Sequence, residues 1–302
     1  IPIDWRLGSA VIRREVAVTS SYPRDISLLG VPIEVGASQK GALMGPAALR
    51  TAGIAPLLES LDFKVEDLGD ISPRDLTFSD EAPPPNAKHY REIKAWTRET
   101  SKRAYAMAKS GAIPVFLGGD HSLSMGSVSG VARHWHEQER ELFVLWLDAH
   151  ADYNTPATTI TGNMHGMSGA FLCGEPGLDD LLPRKERSSI VTRQLGLFGL
   201  RSVDKKEKEL LAQRDVWIAD MRRIDEFGVS VLMCELIERV RARSGVLHVS
   251  LDVDFLDPVS APGVGTTVSG GATYREAHLV MEMLQDSGLV RSLDLVELNP
   301  FP

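Results

Sequence analysis

Phe143-Val144-Leu145-Trp146-Leu147-Asp148-Ala149-His150-Ala151-Asp152 is the stretch on which the fold turns. Its first five residues are apolar with no polar alternation, so a strand built from them must be covered on both faces. Comparable runs recur at 26–31, 113–117, 195–200, 216–218, 246–251 and 292–298. Segments with helical spacing lie between them, at 45–51, 89–109, 123–136, 205–212, 230–243 and 273–285. This alternation predicts an α/β protein: a single three-layer α/β/α domain with a mostly parallel central sheet. The domain is expected over 26–302. Residues 1–25 mix charges with short apolar stretches and read as an N-terminal extension rather than a signal peptide. Residues 81–86 hold three consecutive prolines and read as a loop. The glycine-rich segments do not fit the G-x-G-x-x-G turn of a dinucleotide fold.

The composition suits such a domain. The chain has 302 residues, 43% of them hydrophobic and 25% charged, which is ordinary for a globular protein with a large core. A net charge of -8 gives no reason to expect nucleic acid or an acidic membrane as partner and suits a cationic small molecule. No apolar run is long enough to span a bilayer, and the expected compartment is the cytoplasm. The two cysteines, Cys173 and Cys234, sit beside apolar residues and read as buried thiols.

The informative residues stand where strands end. In open parallel sheets, ligands bind beyond the carboxyl ends of the strands. The run at 113–117 leads into Gly118-Gly119-Asp120-His121-Ser122. The run at 143–147 leads into Asp148-Ala149-His150-Ala151-Asp152, and that at 246–251 into Asp252-Val253-Asp254. Alternate residues of an extended segment point the same way, so these side chains can converge on one rim. A lone aspartate at a strand end is ordinarily a helix cap or turn residue. That account does not cover four carboxylates and two imidazoles gathered together. Buried without a cation, the carboxylates would repel one another and their pKa values would rise. An oxygen-rich set with two imidazoles and no thiolate favours Mn²⁺ or Mg²⁺ with a pull towards transition metals. Six side chains suit two ions rather than one.

These clusters resemble the signatures of the arginase (ureohydrolase) family: Gly-Gly-Asp-His-Ser, Asp-Ala-His-x-Asp, and Ser250-Leu251-Asp252-Val253-Asp254-Phe255-Leu256-Asp257-Pro258. The stretch from Gly30-Val31-Pro32 to Leu49-Arg50-Thr51-Ala52-Gly53 is similar too, so the resemblance runs over about 26–302. It implies two Mn²⁺ per subunit, one held by His121, Asp148, Asp152 and Asp252, the other by His150, Asp148, Asp252 and Asp254. The segment from Tyr153 to Gly166 looks like the arginase version rather than the agmatinase one. The implied reaction is cleavage of L-arginine to L-ornithine and urea by attack of metal-bound hydroxide on the guanidinium carbon. A related ureohydrolase acting on agmatine or guanidinobutyrate, and a metal-holding protein without catalysis, are the alternatives.

Residue roles follow from the same resemblance. Asn154, Thr159 and Thr161 would contact the substrate α-carboxylate, and Asp204, assisted by Glu207, the α-amino group. Ser202 stands where many family members have aspartate. Glu276 would receive the guanidinium, Asp152 would relay a proton to the departing amine, and His165 would shuttle protons, as imidazoles titrate near neutrality. Homo-oligomers, trimers or hexamers, are the implied assembly. Four aspartates, two Mn²⁺ and one hydroxide sum to -1, matching a guanidinium cation. His89, His134, His136, His248 and His278 carry no motif and read as ordinary polar residues, and Asp179-Asp180 as a solvated turn.

Overall fold

The computed structural model describes residues 23–80, 82–187 and 190–301. Residues 1–22 of the expected extension lie outside the described residues. Eight strands form one sheet: β1 (Asp25–Val31), β2 (Lys64–Asp70), β3 (Ile113–Gly118), β4 (Leu142–Leu147), β5 (Leu195–Phe198), β6 (Trp217–Ala219), β7 (Val246–Asp252) and β8 (Val290–Val296). Their order across the sheet is β2-β1-β3-β8-β7-β4-β5-β6. Every pairing between these strands is parallel, so the sheet goes beyond the mostly parallel one expected. The apolar runs account for seven strands. The eighth, β2, has the sequence Lys-Val-Glu-Asp-Leu-Gly-Asp and is exposed along nearly its whole length. As an edge strand it needs no apolar faces, and its charges protect an open edge.

Nine helices are described: α1 (Gly45–Thr51), α2 (Ile54–Ser60), α3 (Tyr90–Ser110), α4 (Ser124–Glu137), α5 (Ser168–Leu172), α6 (Lys205–Leu211), α7 (Met221–Phe227), α8 (Val229–Arg241) and α9 (Tyr274–Ser287). On one face of the sheet, Phe116, Val144 and Trp146 pack with Ile93 and Trp96 of α3 and with Met125, Val128 and Val131 of α4. On the other, Leu145, Leu247 and Val249 pack with Leu232 and Leu236 of α8 and Val280 and Leu284 of α9. Leu28 and Val115 meet Leu49 of α1 and Ile54 and Leu58 of α2. Strand residues i and i+1 thus serve opposite cores, which is why the runs lack alternation.

Cys234 departs from expectation. It is exposed, because the buried stripe of α8 runs through Leu232, Met233, Leu236 and Ile237 and leaves position 234 on the solvent side. Cys173 is half-buried, and burial pushes its thiol up to about 12.

Candidate metal centre and substrate cavity

The carboxyl ends of the four central strands β3, β8, β7 and β4 open on one rim. At the end of β3 the chain turns through Gly118 and Gly119. A Cβ on Gly119 would lie 2.1 Å from the carbonyl oxygen of Ile33, so only glycine lets the turn press against the exit of β1. Asp120 then caps the short helical turn His121–Leu123 by accepting from Ser122 N, and its Oδ2 accepts from Gly36 N at 2.7 Å. These contacts deliver His121 to the rim.

At the end of β4, Asp148 Oδ1 accepts from His150 N at 2.6 Å, and Asp152 sits in the left-handed region with φ 48°. At the end of β7, Asp252 Oδ1 accepts from Asp254 N at 2.7 Å and Asp254 Oδ1 accepts from Ala149 N at 3.0 Å. These turns cross-link the two strand ends and aim the remaining oxygens inward.

All six expected ligands meet. His121 Nδ1 lies 3.0 Å from Asp148 Oδ2, 3.2 Å from Asp152 Oδ2 and 3.3 Å from Asp252 Oδ2. His150 Nδ1 lies 3.0 Å from Asp254 Oδ2 and 3.4 Å from Asp148 Oδ1. Two groups able to hold a metal ion follow, His121–Asp148–Asp252 and Asp148–His150–Asp254, with Asp148 common to both. Asp152 joins the first group through its contact with His121.

Electrostatics favour a cation here. Burial, then neighbouring carboxylates, push Asp252 well above the usual range and raise Asp152; the same causes put Asp254 at about 6. Burial alone would raise Asp148 as well, but contact with both imidazoles holds it below the ordinary value. Burial opposes charging of His150, yet Asp148 and Asp254 raise it to about 12. His121 Nδ1 is fully buried and has no hydrogen-bond partner. A buried polar atom left without one is costly; the three carboxylates around this nitrogen raise His121 well above its ordinary value against its burial, and a shared metal ion would take the place of that proton. The residues therefore fit a binuclear metal site. Trp146 completes its wall. Its ring stacks on His121 at 4.0 Å and its Nε1 donates to Asp148 Oδ2 at 3.0 Å.

A cavity of about 230 Å³ opens from these ligands to solvent. Asn154, Thr159, Thr161, Asp204, Glu207 and His165 line it, as do Asn163, Ser202, Thr266 and Glu297. Asn154 Nδ2 donates to Asp204 Oδ2 at 3.3 Å. Glu207 accepts from Tyr153 N at 2.7 Å and from Asp204 N at 3.2 Å, so it ties the loop after β4 to the start of α6. Burial lifts Glu207 to about 7.

Glu276 is a correction. It is the third residue of α9, where its Oε2 accepts from both Thr273 N and Thr273 Oγ1 at 2.8 Å in a capping box. It is absent from the cavity lining. Glu297, directly after β8, does line the cavity, beside the metal groups. Its Oε1 accepts from His121 N and from His165 Nδ1, each at 2.9 Å. Burial opposes a charge on His165, but contact with Glu297 raises it to about 9. Glu297 is buried and has φ 61°. Its place follows from the topology: β8 lies between β3 and β7, so its carboxyl end reaches the same rim. The strand ends at Val296 and not at the expected 298, so Glu297 is the first residue of the turn that follows.

The comparisons agree with this geometry. The profile of the arginase family matches residues 24–302. An arginase of Agrobacterium fabrum is 52% identical over 276 residues, covering 91% of this chain and 84% of that protein. One of Brucella melitensis is 49% identical over 277 residues, covering 91% and 89%. The solved arginase from Bacillus caldovelox superposes with a TM-score of 0.83 at 37% identity, covering 91% of each chain. With its sheet, its paired metal groups and these relatives in agreement, the chain belongs to the arginase family.

Proposed function

We propose that this chain is a binuclear manganese hydrolase that cleaves L-arginine to L-ornithine and urea. The observation that carries this reading is that one cavity joins a buried carboxylate beside the metal groups to a second set of side chains suited to an amino acid zwitterion. His121, Asp148, Asp152 and Asp252 would hold one ion, and His150, Asp148, Asp252 and Asp254 the other. Oxygen-rich ligation with imidazole suits Mn²⁺. When bound, two divalent cations lower the pKa of water towards neutrality and supply a nucleophile at physiological pH.

The chain's own residues do the rest. Glu297 Oε1 is already held by two donors, while Oε2 makes no hydrogen bond among the described residues. That oxygen is free to accept from a guanidinium, whose planar donors match a carboxylate. Thr159, Thr161 and Asn163 offer hydroxyl and amide donors to an α-carboxylate. Asp204, oriented by Asn154, accepts from an α-amino group. Asp152 turns Oδ2 to His121, and its other oxygen, Oδ1, would relay a proton to the departing amine. His165, with a side chain 24% exposed and anchored by Glu297, passes protons between this carboxylate and solvent.

The test is urea release by the manganese-loaded protein from L-arginine, agmatine and guanidinobutyrate. Turnover should be fastest with L-arginine and should fall when the α-carboxylate is missing. Equal turnover of agmatine and arginine, or none of arginine, would overturn the assignment.

A further inference from the structure

The other ring nitrogen of His121 begins a row of fully buried polar side chains. His121 Nε2 lies 2.8 Å from Ser250 Oγ on β7. Ser250 Oγ lies 3.2 Å from Ser124 Oγ, the first residue of α4. Ser124 Oγ donates to Asp294 Oδ2 on β8 at 2.7 Å, and Ser127 Oγ donates to the same oxygen at 2.8 Å. His248 Nε2 stands 3.1 Å from that oxygen, while its Nδ1 meets Ser292 Oγ at 2.7 Å. His121, Ser124, Ser127, His248, Ser250, Ser292 and Asp294 are all buried, none above 1% exposed.

The direction of each bond is forced from the far end. A carboxylate only accepts, and a serine has one hydrogen. Ser124 therefore spends its hydrogen on Asp294 and can only accept from Ser250. Ser250 thereby spends its own and can only accept from His121. When His121 is neutral, as a metal ligand must be, its proton therefore sits on Nε2, which leaves the lone pair on Nδ1 for an ion shared with Asp148, Asp152 and Asp252. Reversing the serine pair would set two lone pairs against each other in a site without water to separate them.

We propose that Asp294, through Ser124 and Ser250, fixes the tautomer of His121 in its metal-accepting form, so that these three are positioning residues for metal capture. The proposal rests on His121 being a ligand. A partner of the non-ligating nitrogen fixes a metal-binding histidine in many sites, and losing it typically weakens metal affinity about 10–100-fold.

Ser124 and Ser127 supply the control, because both bond the same oxygen but only Ser124 continues to His121. Manganese affinity is measured by chelator competition on the full chain for wild type, Ser124→Ala, Ser127→Ala, Ser250→Ala and His121→Ala. Ser124→Ala and Ser250→Ala should each weaken Mn²⁺ about 10-fold or more, with Ser127→Ala within about twofold of wild type. The metal-free melting temperature should fall in both, and further in Ser124→Ala, which loses two buried bonds, than in Ser127→Ala, which loses one; a loss of Mn²⁺ affinity confined to Ser124→Ala and Ser250→Ala separates positioning from structural support. Equal affinities for Ser124→Ala and Ser127→Ala would overturn the proposal. If Ser124→Ala does not fold, Ser250→Ala against Ser127→Ala decides in the same way. A His121→Ala protein that binds Mn²⁺ like wild type would instead sink the ligand assignment beneath it.

Discussion

Replacing Glu297 by glutamine tests which carboxylate receives the substrate cation. Glu297 Oε1 accepts from His121 N and His165 Nδ1, and the amide oxygen of glutamine can keep those bonds. The amide nitrogen then takes the place of Oε2 and presents hydrogens to a guanidinium that itself only donates. A hydrogen bond to a charged group contributes about 1.5–3 kcal/mol, and each 1.36 kcal/mol is a factor of ten. Glu297→Gln should therefore lower kcat/KM for L-arginine by about 10- to 160-fold, from the bond alone. Glu276→Gln should leave kcat/KM unchanged, because its carboxylate caps α9 and glutamine serves at that position of a capping box. Steady-state urea release after manganese loading reads both. A Glu297→Gln enzyme with wild-type kcat/KM, or a Glu276→Gln enzyme that loses activity with an unchanged melting temperature, refutes the reasoning.

Other outcomes follow from the same geometry. Asn163→Ala should raise KM for L-arginine about tenfold, the scale of one hydrogen bond to a charged group, and barely alter any residual turnover of agmatine; equal effects on both substrates would place Asn163 elsewhere. His165→Ala should lower kcat by about 10²–10⁴ through loss of a proton carrier, and a stopped-flow or steady-state measurement showing no loss excludes that role. Metal-free protein should lose stability as pH rises from about 6.5 to 9, the interval that begins at the ordinary histidine value. Within it the folded state keeps protons on His165, held near 9, and His150, held near 12. The unfolded chain has released them, so each costs about 1.4 kcal/mol per pH unit. Urea denaturation across pH checks the slope, and a rise in stability over that interval would contradict it. Glu175, 7% exposed and paired with Arg214, is held below the usual carboxylate range by that guanidinium. Glu175→Gln should cost about 1–2 kcal/mol at neutral pH, the scale of a charged hydrogen bond discounted for partial exposure. The deficit should shrink as acid protonates the wild-type carboxylate, and a deficit independent of pH would point to packing instead.

The sequence carried the central strands because Val144, Trp146 and their neighbours must satisfy two cores at once. It did not carry β2, whose stability comes from backbone pairing to β1 while its side chains face solvent. The six candidate ligand positions were legible because carboxylates and imidazoles at strand ends have few other reasons to cluster. Glu297 was not, since a single glutamate after an apolar run looks like any strand end. What distinguishes it is its left-handed φ of 61° and its neighbours in space, His121 and His165. Asn163 escaped notice because it lies two residues before His165 in a loop with no periodicity, and only the loop's path brings it into the cavity. Trp146 read as core and is core, yet one edge of its ring also serves Asp148.

The strand order has a consequence for how this centre comes into being. His121 precedes the other five ligand residues in the sequence, and Asp254 follows them all. A growing polypeptide synthesised as far as Asp254 thus possesses the complete set. Yet β8 is made later and wedges between β3 and β7, so until it arrives the His121 turn and the Asp252 turn lack the strand that sets their spacing. The last strand acts as a keystone, and metal uptake should wait for it: a nascent chain halted before Val290 ought to present all six side chains and still capture no ion pair.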